Sequence, residues 1–207
     1  MRRRPYDPVK RAIDLVVAWT LLIVTLPIQL VVALAVRLRM GSPVLFRQAR
    51  PGRGGRVFEM VKFRTMLVED ETHITDDERM TRLGALLRAT SLDELPSLLN
   101  VLKGDMSIVG PRPLLPEYLP LYTPRQATRH DVRPGVTGLA QVKGRNTVSW
   151  GTRLAWDAYY VEHRSLALDL RILFDSVAVV LRREGISEEG QATMTDFEGA
   201  PDEQVRP

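Results

Sequence analysis

The chain of 207 residues contains no cysteine. This excludes disulfides, thiolate catalysis and zinc sites built on thiolates. Its three histidines, His73, His130 and His163, lie far apart and form no HExxH or comparable metal-binding spacing. The glycine-rich segments lack the GK[ST] ending of a P-loop, and no nucleic-acid-binding module is recognisable. Any metal is therefore expected to be a hard cation with oxygen ligands, and nucleic acid is the least favoured partner.

Long apolar runs are also scarce, since residues 15–36 form the one such segment. These 22 residues would reach about 33 Å as a straight helix, enough for a bilayer core of roughly 30 Å. Basic residues lie beyond both ends, and lysine and arginine near an apolar segment favour the cytoplasmic side, so both ends are expected on one face. Pro27 disfavours helical geometry near the middle, which predicts a helix, a break and a second helix. A single-pass anchor with a kink is equally open from these residues, whereas a cleaved signal peptide is less favoured.

The composition predicts three parts in sequence order. Residues 1–40 are the basic N-terminus and the membrane segment, and residues 41–185 are long enough for one domain with a modest core. Residues 186–207 carry more acids than bases and predict a disordered tail. The net charge of +4 therefore understates the basicity of the body, which suits anionic lipid or a phosphorylated substrate.

Local patterns predict an α-rich α+β fold. Residues 44–48 and 57–64 indicate two strands of a small β-hairpin, while residues 82–88 and 92–102 have helical character. Residues 166–181 are apolar but too short and too charged to span a membrane. Either an amphipathic helix at the membrane surface or a core helix explains them, and the core helix is favoured.

Asp93 and Glu94 fall in the first turn of the helix predicted over residues 92–102. Ser91 to Glu94 fits a capping box, and acids at a helix N-terminus are favoured by the helix dipole whatever the function. The functional interpretation uses the same physics, because a helix N-terminus and nearby arginines keep a carboxylate ionised by lowering its pKa. An ionised carboxylate can attack phosphorus, so both interpretations stay open at this point.

Several cations are candidates for binding phosphate. Lys62 and Arg64 share one face of the second predicted strand. Arg112 lies between two prolines, which present a guanidinium rigidly for bidentate phosphate recognition, although a stiff surface turn has the same composition. Residues 133–146 are rich in glycine and cations and are interpreted as a loop.

Several of these motifs together resemble those of the bacterial sugar transferases, and specifically the small monotopic phosphoglycosyl transferases. The match runs from about Lys10 to Arg183, with the motifs in the family's order. The motifs are Lys10-Arg11 with Asp14, Gly41-Ser42-Pro43, Lys62-Phe63-Arg64-Thr65-Met66, Thr90-Ser91-Leu92-Asp93-Glu94-Leu95-Pro96, Gly104-Asp105-Met106-Ser107-Ile108-Val109-Gly110-Pro111-Arg112-Pro113 and the residues 133–146.

The resemblance implies a monotopic enzyme on the cytoplasmic face of the bacterial inner membrane. It would transfer a sugar 1-phosphate from a UDP-sugar to polyprenyl phosphate and release UMP, as an early step of glycan or exopolysaccharide assembly. A homodimer is kept as a candidate assembly. The resemblance also places the bend of a re-entrant membrane helix at Pro27, although this chain has Leu26 where the family often has serine.

The same resemblance implies roles for individual residues. Asp93 would be the nucleophile that forms a phosphosugar–aspartyl intermediate, and it would also contact Mg²⁺. Glu94 would be the second carboxylate, assisting the acceptor phosphate or the metal. The phosphate-binding cations would be Arg88, Arg112, Lys62, Arg64, Arg133 and Arg145.

Two other classes of function are kept. A membrane-anchored scaffold that binds sugar nucleotides or lipid without turnover has the same architecture. A single-pass receptor with a nucleic-acid-binding body would place the two ends of residues 15–36 on opposite sides of the membrane.

Overall fold

The computed structural model describes residues 4–68, 74–143, 148–182 and 196–205. Its helices build most of the molecule around two short sheets. The predicted Arg145 lies outside the described residues. The α-helices, numbered α1 to α8, are Tyr6–Met40, Asp76–Arg79, Arg82–Ala89, Leu98–Lys103, Pro124–Ala127, Leu139–Lys143, Trp150–His163 and Leu166–Arg182. The 3-10 helices are Arg53–Gly55, Leu92–Ser97, Pro116–Leu121 and Thr128–Asp131.

The predicted hairpin is confirmed. Strand β1, Leu45–Pro51, pairs antiparallel with β2, Val57–Phe63, in a register that places Leu45 opposite Phe63. Gly54 and Gly55 in the connecting turn have φ values of 68° and 73°. This left-handed backbone favours glycine, so the turn fixes where the two strands meet.

A second, parallel pair of strands was not predicted. Strand β3, Ser107–Val109, lies beside β4, Gly135–Thr137. The backbones continue in close contact beyond β3, where a Cβ added to Gly135 would lie 2.1 Å from the Gly110 nitrogen. The interpretation of residues 133–146 as a loop is therefore wrong for β4 and for α6. Three residues are too few to show the alternation that identifies a strand.

Helix α1 runs without interruption from Tyr6 to Met40 and contains Pro27, so the predicted break is not confirmed. The Thr25 hydroxyl donates to the Leu21 carbonyl at 2.6 Å, and the Gln29 amide donates to that hydroxyl at 3.0 Å. The Thr25 hydroxyl thus donates one hydrogen bond and accepts another, and the Gln29 amide has an acceptor inside the apolar segment. A threonine bonded to the carbonyl four residues earlier is typical of helices that bend.

Both ends of α1 pack against the same body of the protein. Near its N-terminus, the Asp14 carboxylate accepts from the Ser107 hydroxyl at 2.7 Å and from the Ile108 nitrogen at 3.0 Å. Near its C-terminus, Val32 and Val36 are buried in a cluster with Phe63 and Leu87. The sequence division at residue 40 therefore separates two parts that share a core.

The middle of α1 remains uncovered. Ile23, Val24, Leu30 and Val31 are each 63–68% exposed. Of the described helices, α1 is the one long and apolar enough to cross a membrane, with a mean hydropathy of 2.4 over its most apolar stretch, of which 17% is buried. An apolar surface of this length is stable only where lipid or another protein covers it.

Helix α8 is amphipathic. The two alternatives for residues 166–181, a core helix and a helix at the membrane surface, each describe one of its faces. Ile172 and Asp169 are buried in the core, whereas Leu170, Phe174 and Val177 are 57–76% exposed. The core face packs beside α7, in a cluster with Tyr160 and Trp156.

Residues 196–205 of the tail, for which the composition predicts disorder, contact the body of the protein. Phe197 is 2% exposed and packs among the rings of Tyr118, Tyr122 and Trp150. The Glu203 carboxylate accepts from the Ser149 hydroxyl at 2.9 Å, at the start of α7. Burial of Phe197 acts together with hydrogen bonds from Gln126 to the Ala200 carbonyl and from Arg125 to the Glu203 carbonyl, and these contacts oppose the entropy cost of ordering the segment.

We expect Phe197→Ala to lower the free energy of unfolding by about 3–5 kcal/mol, because it leaves a cavity among packed rings. Chemical denaturation in detergent measures the change. Phe46→Ala is the matched control, since Phe46 is 44% exposed and its loss is expected to cost less than about 1 kcal/mol. Equal losses in the two variants would show that the tail does not contribute to the core.

Candidate active site

Asp93 and Glu94 lie on the 3-10 helix Leu92–Ser97, and they do not cap it. Ser91 before it has a φ of 55°, a left-handed backbone, and its side chain makes no capping hydrogen bond. The Thr90 hydroxyl donates back to the Leu86 carbonyl at 2.8 Å. The predicted capping box is therefore wrong, and the carboxylates have no capping role that would explain them.

The Glu94 carboxylate is held by two cations. One of its oxygens, Oε1, lies 2.6 Å from Lys62 Nζ and 2.8 Å from Arg112 Nη2. Burial opposes its ionisation, but the charges and hydrogen bonds of Arg112 and Lys62 outweigh burial and hold the pKa of Glu94 at about 2. Glu94 is therefore fixed as an anion that orients both cations.

Asp93 has a different environment from its neighbour, although both are acids on one turn. Its side chain is buried, and burial together with the adjacent Glu94 charge raises the pKa of Asp93 to about 6, against the attraction of Lys62, Arg112 and Arg88. The prediction that its pKa is lowered is therefore wrong. Within the described part of the chain, neither oxygen of Asp93 accepts a hydrogen bond or forms an ion pair. A pKa of about 6 favours the ionised form of Asp93 at pH 7, as an acceptor without a partner among the described residues.

Arg88 approaches the carboxylates from the last turn of α3. Its Nε donates to the Thr65 hydroxyl at 3.1 Å, and its charge lowers the pKa of Asp93. Helix α3 comes this close because Gly84 has no side chain, since a Cβ there would lie 1.7 Å from the Thr65 carbonyl oxygen. The structure thus brings together the predicted Arg88, Arg112 and Lys62 around the acidic pair.

Arg64 does not join them. Its guanidinium donates to the carbonyls of Met40, Gly41 and Ser42, where α1 ends, and the residue is 6% exposed. Strand β2 ends at Phe63, so the alternation that was expected to place Arg64 beside Lys62 stops before it. Arg64 therefore compensates the negative end of the α1 dipole, and the structure does not bring it to the acidic pair that the predicted phosphate ligands were expected to surround.

Arg133 also lies elsewhere. Its Nε donates to the Gly104 carbonyl at 2.7 Å, and burial, followed by the charges of Arg11 and Arg53, lowers its pKa. It secures the turn after α4 rather than contacting the acidic pair. A motif in the sequence gives the order of residues along the chain, and the structure separates Arg133 from the group that it was predicted to join.

Two basic residues near Arg112 were not among the predicted phosphate ligands. Burial, followed by the charge of Arg112, lowers the pKa of Arg50 to about 10, which places Arg50 close to the site. The buried Arg129 donates to the Arg112 carbonyl oxygen at 2.6 Å. Arg129 lies in no distinctive local pattern. Arg50 begins one of the glycine-rich segments, which were set aside because they lack the GK[ST] ending of a P-loop.

The described residues contain no group of three or more histidine, aspartate or glutamate side chains that could hold a metal ion. Asp93 nevertheless fits Mg²⁺, because its carboxylate oxygens have no partner among the described residues. Magnesium is usually held by one or two carboxylates together with substrate phosphates, rather than by a full protein cage. Glu94 is less suitable, since Lys62 and Arg112 already occupy its Oε1.

Comparison with known proteins identifies the family. The model of the family described as "Bacterial sugar transferase" matches residues 5–183. The chain belongs to the bacterial sugar transferases. The predicted family is therefore confirmed, together with the enzyme class, a phosphoglycosyl transferase.

Three relatives of this sugar transferase illustrate its similarity. It is 50% identical to "Uncharacterized sugar transferase EpsL" of Bacillus subtilis over 93% of this chain and 97% of the relative. It is 44% identical to the "UDP-glucose:undecaprenyl-phosphate glucose-1-phosphate transferase" of Caulobacter vibrioides, over 83% of this chain and 69% of the relative. It is 39% identical to the "Undecaprenyl-phosphate galactose phosphotransferase" of Salmonella typhimurium, over 85% of this chain but 41% of the relative.

Proposed function

We propose that this sugar transferase moves a sugar 1-phosphate from a UDP-sugar to polyprenyl phosphate, such as undecaprenyl phosphate, and releases UMP. The observation that carries the proposal is the contrast between the two adjacent carboxylates. Glu94 is occupied by Lys62 and Arg112, whereas Asp93 has no partner among the described residues. The names of the Caulobacter and Salmonella relatives support the reaction and the acceptor.

Asp93 is the nucleophile in this mechanism. One carboxylate oxygen attacks the phosphorus that carries the sugar, and the bond from that phosphorus to the bridging oxygen breaks, so that UMP leaves with the electron pair. A phosphate oxygen of the polyprenyl acceptor then attacks the same phosphorus and releases the aspartate. The transfer therefore proceeds in two steps through an acyl phosphate, with ping-pong kinetics.

The cations around the acidic pair stabilise the charge on the phosphates. Among the described residues, Arg88, Arg112 and Lys62 surround the two carboxylates, and their positive charges favour binding of an anionic diphosphate. Glu94 holds Lys62 and Arg112 in place. When bound through Asp93 and the substrate phosphates, Mg²⁺ would neutralise negative charge on the diphosphate.

The membrane geometry is proposed together with the reaction. Both ends of α1 pack against one body, which supports a re-entrant helix with both ends on the cytoplasmic face of the inner membrane. Leu166 and Leu170 of α8 line a cleft together with Ile13 and Val17 of α1. The exposed apolar face of α8 therefore continues the apolar surface of α1, which supports an α8 that lies in the interface beside the acceptor headgroups.

Cysteine labelling tests the re-entrant arrangement, and the absence of native cysteine makes every introduced thiol unique. Val9→Cys and Arg39→Cys lie before and after the apolar segment, and Arg56→Cys reports on the body. We expect an impermeant maleimide to label all three in inverted membrane vesicles and none in intact spheroplasts. Labelling of Val9→Cys on the side opposite to Arg56→Cys would show that α1 spans the membrane. Adding Pro27→Ala tests whether the proposed re-entrant arrangement depends on the proline, and unchanged labelling on one side would show that it does not.

An assay of UMP release tests the function. The purified protein is supplied with Mg²⁺, undecaprenyl phosphate and each of a panel of UDP-sugars. We expect release of UMP with at least one donor and formation of a lipid-linked diphosphate sugar. No release with any donor would refute the proposed reaction and favour the alternative of a silent scaffold that binds sugar nucleotides or lipid. A homodimer stays a prediction, which the mass of the detergent-solubilised protein measures.

A further inference from the structure

A buried ion pair, Arg129 with Asp157, lies next to the backbone of Arg112. Arg129 donates to one carboxylate oxygen of Asp157 on α7, from Nη2 at 2.7 Å and from Nε at 3.1 Å. The two residues are 3% and 2% exposed. Such a pair adds little to stability, because desolvation of both charges offsets most of their attraction. Stability alone therefore does not explain why a charged pair is buried at this position.

The remaining contacts of Arg129 indicate a role for the ion pair. Nη1 donates to the Tyr122 hydroxyl at 3.0 Å, and the guanidinium lies 5.5 Å from the centre of that ring. Nη2 also donates to the carbonyl oxygen of Arg112 at 2.6 Å. The planar fork of arginine thus engages a carboxylate, a hydroxyl and a carbonyl at once, which lysine with its single nitrogen cannot do.

The backbone on the other side of Arg112 is also fixed. The Gly110 nitrogen donates to the Thr137 carbonyl at 2.9 Å, and the Gly135 nitrogen donates to the Pro111 carbonyl at 2.9 Å. Arg112 therefore follows a backbone held by β4 and has its own carbonyl held by Arg129. From this position its guanidinium reaches Glu94 at 2.8 Å.

We propose that Arg129, held by Asp157, is a positioning residue that sets the backbone of Arg112, so that the Arg112 guanidinium meets Glu94 and the donor phosphates. Arg129 itself is buried and does not contact the substrate. The proposal rests on the function proposed above, in which Arg112 binds phosphate. A misplacement of a phosphate-binding group by about 1 Å is enough to lower turnover by up to about 100-fold.

Three variants test the proposal in the full-length protein. Arg129→Lys keeps the charge but loses the fork, and we expect kcat/KM for the donor to fall about tenfold. Tyr122→Phe, a milder change that leaves the ion pair intact, is expected to lower it about twofold. Arg164→Lys is the matched control, because the buried Arg164 also binds a carboxylate, that of Asp7, and a carbonyl, that of Val161, and neither of these partners belongs to the acidic pair or its cations. Its kcat/KM is expected to match that of the wild type.

A double-mutant cycle separates positioning from general damage to the fold. If Arg129 acts through Arg112, Arg129→Lys in an Arg112→Met background should cost less than about a further twofold. An equal tenfold loss in both backgrounds would mean that Arg129 acts independently of Arg112 and would overturn the proposal. Wild-type kcat/KM in Arg129→Lys would also overturn it.

Amide hydrogen exchange provides a measurement that does not need turnover. We expect exchange in the peptide covering residues 107–115 to be faster in Arg129→Lys than in the wild type and unchanged in Arg164→Lys. Unchanged exchange in Arg129→Lys would overturn the positioning role, even if the enzyme proves active. Absence of UMP release by the wild type would instead refute the function, while the exchange result still decides whether Arg129 holds this segment.

Discussion

Asp93→Asn is expected to abolish turnover and to prevent formation of any covalent adduct. An amide has nearly the same shape as the carboxylate but carries no charge with which to attack phosphorus. We expect kcat to fall by about 10³-fold or more, as for the removal of other covalent nucleophiles. Steady-state UMP release measures the loss, and intact-protein mass spectrometry after incubation with donor alone measures the adduct.

Glu94→Gln is the matched control for this experiment, because it makes the same chemical change one residue later. Its turnover is expected to be impaired while adduct formation persists, since Glu94 orients cations and does not attack. Near-normal turnover in Asp93→Asn would reject the nucleophile. So would an adduct of the same mass in that variant.

The same two variants are expected to change stability in opposite directions at pH 7. The pKa of Asp93 is raised from 3.8 to about 6, so its ionisation destabilises the folded state by up to about 3 kcal/mol. The pKa of Glu94 is lowered from 4.5 to about 2, so its ionisation stabilises the folded state by a similar amount. Asp93→Asn should therefore raise the free energy of unfolding, and Glu94→Gln should lower it.

The two effects have different pH windows. Below pH 3.8 the Asp93 carboxyl is protonated in the folded and the unfolded state, so its raised pKa does not change the free energy of unfolding. The full destabilisation appears above about pH 6. The gain from Asp93→Asn should thus grow between pH 4 and 6. A lowered pKa gives stability above pH 4.5 that is lost as the pH falls toward 2. The loss from Glu94→Gln should therefore disappear in strong acid.

Urea denaturation of the detergent-solubilised protein across pH 3–8 measures both curves. The repulsion from Glu94 is already part of the raised pKa of Asp93. Its removal in Glu94→Gln also lowers the cost of ionising Asp93, which reduces the loss of stability in that variant. Equal and parallel changes in the two variants would contradict the opposed electrostatics of the pair. A stabilised but inactive Asp93→Asn would show that the nucleophile is maintained at a cost to the fold.

The sequence predicts those features that depend on a few neighbouring residues. The hairpin follows from alternation and from its glycines, and the acidic pair with Arg88 and Arg112 follows from motifs that the family shares. Features that depend on tertiary contact were missed. Nothing next to Phe197 in the sequence indicates that Tyr118 and Trp150 will enclose it, so a polar tail was expected to be disordered.

The charge state of Asp93 was missed for a related reason. Nearby arginines and a helix start are visible in the sequence, and both lower the pKa of a carboxyl group. Burial and the repulsion from Glu94 act in the other direction, and the extent of burial is known only from the packing. Arg64 and Arg133 illustrate the same point, since each was counted as a phosphate ligand and each instead binds backbone carbonyls.

Three consecutive residues connect the chemistry to the membrane helix. Lys62 binds Glu94, Phe63 packs against Val32 and Val36 of α1, and Arg64 binds the carbonyls at the end of that helix. Two peptide units, about 7 Å of backbone, therefore separate the lysine that binds Glu94 from the arginine that binds the end of the membrane helix. Replacing the membrane helix with one from another protein would therefore disturb the strand that carries Lys62, because the end of the helix and the end of the strand pack together.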